Sequence, residues 1–194
     1  MAQVLGAMGG VRCLVYKGDP LAVSLYGEVR RRGSGDIDLL VDAGAIEEAA
    51  GVLRGLGYKP RYGLERPEPW LVDEWGFVQA GTGQVLELHW GLSAPHIPSP
   101  SFEVLWEARR EVEVEGVRCV VLGHAHEVLG LCYHFHHHVG HLKGLVDVAS
   151  WLDRYGRGAA WGEAWGWAKG EGVSGVMGWP QGAIGYLGGE RSGS

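Results

Sequence analysis

Two aspartates one residue apart, Asp36 and Asp38, open the run D-I-D-L-L-V, and Glu87 and His89 stand in a second such run, V-L-E-L-H-W. In an extended strand alternate side chains share a face, so Asp36 and Asp38 point one way while Ile37, Leu39 and Val41 point the other. Their Cα atoms then stand about 7 Å apart, which lets both carboxylates converge on one or two divalent cations. Hard cations select oxygen ligands, and aspartate supplies them. Two such cations about 3.5–4 Å apart can activate an attacking oxygen and stabilise a leaving one. Glu87 and His89 share a face in the same manner, opposite Leu86, Leu88 and Trp90. If that strand lies beside the first, Glu87 completes a three-carboxylate cluster and His89 is placed to support it. A charge amid apolar neighbours is costly when unpaired, and a metal-binding role accounts for Glu87 better than chance does. The bland alternative is that aspartates ahead of a strand cap turns, and D-x-D alone is a common tripeptide.

These acids need elements to hold them. V-R-C-L-V-Y-K-G is a short apolar run closed by Gly18, consistent with a buried strand. The segment after it starts with Asp19 as N-cap and Pro20 at the first helical position. Leu21, Leu25 and Val29 recur at helical spacing, which predicts a helix of about three turns, broken at Gly33-Ser34-Gly35. D-I-D-L-L-V is the next strand. A helix follows through Ile46, Ala49, Ala50 and Leu53, with Gly57 in the stop position. Y-K-P-R-Y-G-L, W-G-F-V-Q-A and Q-V-L-E-L-H-W-G-L are expected as strands, the last two joined by a hairpin at Thr82-Gly83. A loop rich in proline and serine, S-A-P-H-I-P-S-P-S, precedes a short helix in S-F-E-V-L-W-E-A-R-R and a hairpin in E-V-E-V-E-G-V-R-C-V-V-L. From His124 the pattern turns helical, with two helices and then a weaker one rich in tryptophan and glycine. The expected organisation is an α/β portion over 1–122, a helical portion over 123–187 packed on it, and a disordered tail over 188–194.

Composition narrows the function classes. With 194 residues the chain can bury one good core, and 46% hydrophobic with 21% charged residues is ordinary globular composition. The net charge of -6, with no basic stripe, argues against direct nucleic-acid binding, which rests on counterion-releasing basic contacts. The local cluster Arg30, Arg31 and Arg32 can still meet the phosphates of a small ligand, or lie as a solvated helix end. The cysteines Cys13, Cys119 and Cys132 lack C-x-x-C spacing and are expected as free thiols. No leader pattern and no apolar run of membrane-spanning length is present, so the expected location is cytoplasmic.

The order of motifs Y-K-G-D-P-L-A, G-D-I-D-L-L-V, L-E-L-H-W and L-V-D-V-A-S-W-L resembles the uncharacterised nucleotidyltransferase family of the DNA polymerase beta-like superfamily, from about Val11 to about Leu152. The resemblance implies an α+β fold: a small mixed sheet with flanking helices of the nucleotidyltransferase type, followed by a C-terminal helical portion. It implies transfer of a nucleoside monophosphate from an NTP, ATP first, to a hydroxyl of an acceptor that is a small molecule or a protein. It further implies that Asp36, Asp38 and Glu87 are catalytic and bind two Mg²⁺ ions. Lys17, Gly18, Gly35 and Arg32 are the expected nucleotide-binding residues. Where the superfamily has Gly-Ser after the first strand, this chain has Lys17-Gly18-Asp19. Two alternatives stand beside the enzyme: a nucleotide- or partner-binding module without catalysis, and a toxin–antitoxin component.

The run H-F-H-H-H-V-G-H invites a zinc reading, because His134, His138 and His141 share a helical face at i, i+4 and i+7. The H-E-x-x-H form is absent, and packing or surface histidines are the simpler expectation. His89 and His138 are assigned supporting roles at the acidic site. Asp147, in an otherwise apolar helix, is expected to be paired with an arginine or histidine, and Trp161, Trp165 and Trp167 to be packing residues.

Overall fold

The computed structural model describes residues 1–63, 66–137 and 142–187. The chain divides into two compact units, Met1–Gly123 and His124–Ser194. The expected tail over 188–194, together with His138 and His141, lies outside the described residues.

The first unit is built on seven strands: β1 (Cys13–Val15), β2 (Asp36–Val41), β3 (Tyr58–Pro60), β4 (Glu74–Gln79), β5 (Val85–His89), β6 (Arg110–Val114) and β7 (Val117–Val121). They form one mixed sheet in the order β3-β4-β5-β2-β1-β7-β6. β2 runs antiparallel to β1 and parallel to β5, in the register Asp36↔Val85, Asp38↔Glu87 and Leu40↔His89. The helices of this unit are α1 (Ala2–Ala7), α2 (Gly18–Tyr26), α3 (Ile46–Gly55) and α4 (Phe102–Glu107).

Alternation along β2 and β5 decides what enters the core. Ile37, Leu39 and Val41 join Leu86 and Leu88 in one buried cluster, with Trp75 and Phe77 of β4. α3 presents Ile46, Ala49, Ala50 and Leu53 to the same cluster, the four positions its periodicity predicts. Burying a side chain the size of leucine or isoleucine is worth about 1.5–3 kcal/mol, so this face anchors the sheet. The opposite face is left for Asp36, Asp38 and Glu87.

Two helical expectations are corrected. The helix after β1 begins at Gly18, with Lys17 rather than Asp19 in the capping position, and Asp19 sits in its first turn. It also ends sooner than three turns through Val29. Gly27 adopts the left-handed conformation at φ 82°, its N–H bonds the Val23 carbonyl, and only a short 3-10 turn over Val29–Arg31 follows. Glycine enters that conformation without steric cost, and so it closes the helix before the apolar period runs out.

The second unit contains α5 (His124–His137), α6 (Leu142–Tyr155), α7 (Ala159–Gly170) and α8 (Gly175–Leu187). The segment rich in tryptophan and glycine is thus two helices, not one, divided at Glu171–Ser174. Trp151 and Trp161 are buried within this unit, with Trp165 stacked on Trp161. Among the described residues no helix is long and apolar enough to cross a membrane.

Candidate active site

Asp38 is the centre of the acidic face. Its side chain is 4% exposed, and its Oδ1 meets two donors: Lys17 Nζ at 3.3 Å and His89 Nε2 at 3.1 Å. Burial works to raise the Asp38 pKa, but the His89 hydrogen bond and the Lys17 charge outweigh it. Together they hold the carboxyl well below the usual carboxylate range. An ionised carboxylate can only accept, so His89 Nε2 carries a proton and donates it. His89 is itself buried, with Tyr16 edge-on against its ring and its Nδ1 3.7 Å from Glu74 Oε2.

The strands explain why these groups meet. Asp38 and Glu87 are direct neighbours across the parallel β2–β5 pair, and Glu74 lies opposite His89 across the antiparallel β4–β5 pair. Side chains so paired stand on one face within reach of each other. Glu87 Oε2 is 3.8 Å from His89 Nε2. Its pKa is raised, first by burial and then by the charges of Glu74 and Asp38, with His89 and Lys17 opposing. One carboxyl of the pair is therefore held ionised, while the other takes up a proton more readily than a free glutamate.

Ligand atoms of Asp38, Glu87 and His89 all lie within 4.8 Å of one another. Two carboxylates on such a spacing suit a hard divalent cation through their oxygens, and the imidazole joins them as a ligand for manganese or zinc only when Nε2 gives up its proton. The expected three-carboxylate set is thus brought together in part. Asp38 and Glu87 meet, His89 joins them, and Asp36 stands outside this tight group. The Asp36 carboxylate instead accepts a 3.0 Å hydrogen bond from the Ser34 hydroxyl.

Of the expected nucleotide-binding residues, Gly18 opens α2 at φ 72°, a conformation that a Cβ would strain. A Cβ there would also face the Ser34 hydroxyl at 3.6 Å and the Asp36 carbonyl at 3.8 Å, so this turn lies against the start of β2. Arg32 is buried, whereas Arg30 and Arg31 are exposed and Arg31 pairs with Glu28. Gly35 is exposed, and its carbonyl accepts a 3.4 Å bond from the Gln84 amide. Ser34 and Glu74 escaped the sequence reading. Ser34 looked like one more loop residue, and Glu74 enters only through the antiparallel register of β4. A separate cavity of about 490 Å³, bordered by Asp73, Trp90, His96 and Phe102, is lined by none of Asp36, Asp38, Glu87 or His89.

The family model of the uncharacterised nucleotidyltransferases matches residues 2–172. The chain belongs to the uncharacterised nucleotidyltransferase family. Solved structures of similar fold include two nucleotidyltransferases. ANT(2'')-Ia in complex with adenylyl-2''-tobramycin is 13% identical over 86% of this chain and 93% of that one, with a TM-score of 0.60. A solution structure of the antibiotic-resistance factor ANT(2'')-Ia is 12% identical over 97% and 95%, with a TM-score of 0.56. The lincosamide antibiotic adenylyltransferase LnuA, bound to lincomycin, is 15% identical over 78% and 94%, with a TM-score of 0.55. At such identity the likeness establishes the fold: a mixed sheet with flanking helices and C-terminal helices of the nucleotidyltransferase type. No curated protein matches the sequence.

Proposed function

We propose that this family member transfers a nucleoside monophosphate, AMP from ATP first among them, to a hydroxyl of a small-molecule acceptor. The observation that carries the proposal is the cross-strand pair Asp38–Glu87 with His89 beside it, Asp38 being on a strand whose start lies against the Gly18 turn. Membership of a nucleotidyltransferase family and a fold shared with antibiotic adenylyltransferases support it.

The reaction makes one bond and breaks one. The acceptor oxygen bonds to the α-phosphorus, the bond from that phosphorus to the bridging oxygen breaks, and pyrophosphate leaves with the electron pair. The acceptor's proton goes to a carboxylate. Glu87, directly across from Asp38 on the same sheet face, is the group placed to receive it. Asp36, Asp38 and Glu87, with His89 adjoining, would hold Mg²⁺, whose charge would offset that developing on the phosphoryl oxygens. His89 keeps the Asp38 carboxylate oriented through its Nε2–H bond. The first backbone N–H groups of α2, opened by Gly18, offer donors to an anionic phosphate. Lys17, Arg32 and the Gly35 turn complete the nucleotide end.

The test is calorimetry with ATP, GTP, CTP and UTP, with and without Mg²⁺, followed by transfer of label from α-labelled ATP. Tobramycin and lincomycin are the first acceptors to try, as the solved relatives hold an adenylylated form of one and the other itself. Mg²⁺-dependent ATP binding that disappears in the Asp36→Asn, Asp38→Asn double variant is the expected result. Failure to bind any nucleotide in either condition would overturn the proposal. Label that appears in a protein rather than in the small molecule would move the acceptor class to proteins.

A further inference from the structure

We infer that Lys17 is a built-in counter-ion that competes with a divalent cation for Asp38, so that a triphosphate drawing its ammonium away strengthens uptake of the cation. This rests on the nucleotidyltransferase reading above for the identity of the triphosphate. It does not rest on that reading for the competition at Asp38.

The placement of Lys17 is the reason. Lysine is rarely buried unless paired, yet the Lys17 side chain is 9% exposed, and its Nζ stands 3.3 Å from an Asp38 oxygen whose side chain is 4% exposed. Stripping a carboxylate of water without a partner is severely unfavourable, so the ammonium compensates a charge that the sheet has forced inward. The same Oδ1 accepts the His89 Nε2–H bond, so both donors converge on one atom of Asp38. That carboxylate belongs to the donor trio able to hold a cation, and an ammonium beside it repels a second positive charge.

Lys17 is also the residue that can leave. It immediately precedes Gly18, at the capping position of α2, so its backbone stands at the phosphate end of the site. Its Nζ lies over the Tyr16 ring, 4.9 Å from the centroid, and rotation about its four-carbon stem carries the charge without moving the strand. A triphosphate arriving at the Gly18 turn offers the ammonium a stronger anion and frees Asp38. By linkage, the factor by which nucleotide strengthens cation binding equals the factor by which the cation strengthens nucleotide binding.

The experiment uses Mn²⁺ as the probe, followed by electron paramagnetic resonance in the absence of nucleotide. Wild type, Lys17→Met and Lys17→Arg are compared. Lys17→Met is expected to bind Mn²⁺ at least about tenfold more tightly than wild type, since an adjacent opposite charge shifts a carboxylate's proton affinity by one to three log units. Lys17→Arg, which keeps the charge, should stay near wild type. Equal or weaker Mn²⁺ binding by Lys17→Met overturns the inference.

Should Lys17→Met fail to fold, the wild-type chain answers by trace acetylation, because its four lysines are resolved by peptide mass. Lys17 reactivity should rise as Mn²⁺ alone saturates and fall again on adding the α,β-methylene analogue of ATP. Reactivity indifferent to Mn²⁺ overturns the inference. The two readings fail separately. Tightened Mn²⁺ binding in Lys17→Met with no nucleotide bound under any condition defeats the proposed function alone. Nucleotide binding with unchanged Mn²⁺ affinity defeats the counter-ion role alone.

Discussion

Asp38 in β2 and Glu127 in α5 are carboxylates buried to almost the same degree, 3% and 5% exposed, and they are satisfied in different ways. Glu127 accepts the indole N–H of Trp151 at 3.2 Å and lies 3.8 Å from His124, one helical turn away. Asp38 shares one oxygen between an ammonium and an imidazole and stands across from a second acid whose own pKa is raised. The helical carboxylate is bonded to a neutral donor, as a packed interior demands. The strand carboxylate is held ionised by an imidazole hydrogen bond and an ammonium, next to another acid. Burial of an acid is therefore weak evidence of a site. Convergence of donors and acids from several elements on one point is the stronger sign.

The sharpest break between the two comes from neutralising each acid. Asp38→Asn is expected to lower the rate of nucleotide transfer by about 10²–10³, the scale of losing a principal charge-stabilising contact. Glu127→Gln should leave transfer close to wild type, and a steady-state assay on both variants decides it. Equal losses in the two would dissolve the distinction.

Trp151→Phe addresses the helical carboxylate from the other side. Removing the indole donor takes one hydrogen bond from a buried carboxylate, which costs about 1–3 kcal/mol, read as a lowered melting temperature with transfer kinetics unchanged. Gly18→Ala addresses the strand site through backbone conformation. Forcing a Cβ into the left-handed region costs about 1–2 kcal/mol and should weaken ATP binding in calorimetry. The hypothetical Cβ meets its neighbours only at ordinary contact distances, so the loss comes from φ and not from a clash.

The smallest effect is a pH slope. Burial lowers the His126 pKa, with Glu163 opposing, so this imidazole stays neutral in the folded helical unit. Its contribution is intact above the unfolded value near 6.5 and is lost as pH falls from there toward the lowered folded value. Thermal unfolding from pH 7.5 down to 5 should show a decline that His126→Leu flattens. An unchanged slope in that variant would assign the decline to other groups.

Much of this was legible in the residues. D-I-D-L-L-V matched its strand residue for residue, α3 buried the four positions its spacing named, and Thr82-Gly83 turned the β4–β5 hairpin. The failures share a cause: periodicity detects a face but not the place where backbone conformation ends an element. Gly27 closed α2 while Val29 still kept the period, and a break at Glu171–Ser174 divided a single weak pattern into α7 and α8. Glycine and turn residues act through φ and ψ, to which a hydrophobic pattern is blind.

From the sequence alone, the two-residue repeat of a strand settled that Asp36 and Asp38 leave the core while Ile37, Leu39 and Val41 enter it, because that alternation is a local property of extended backbone. The distance between residues far apart in the chain is not local. The register of β2 against β5 set Glu87 opposite Asp38, and β4 against β5 set Glu74 opposite His89. Only in three dimensions did Lys17, one residue ahead of a helix, become the counter-ion of Asp38, and Ser34 the donor to Asp36. Pairing partners and charge balance are decided by the packing of whole elements, since each depends on where another strand ends and not on its own neighbours in sequence.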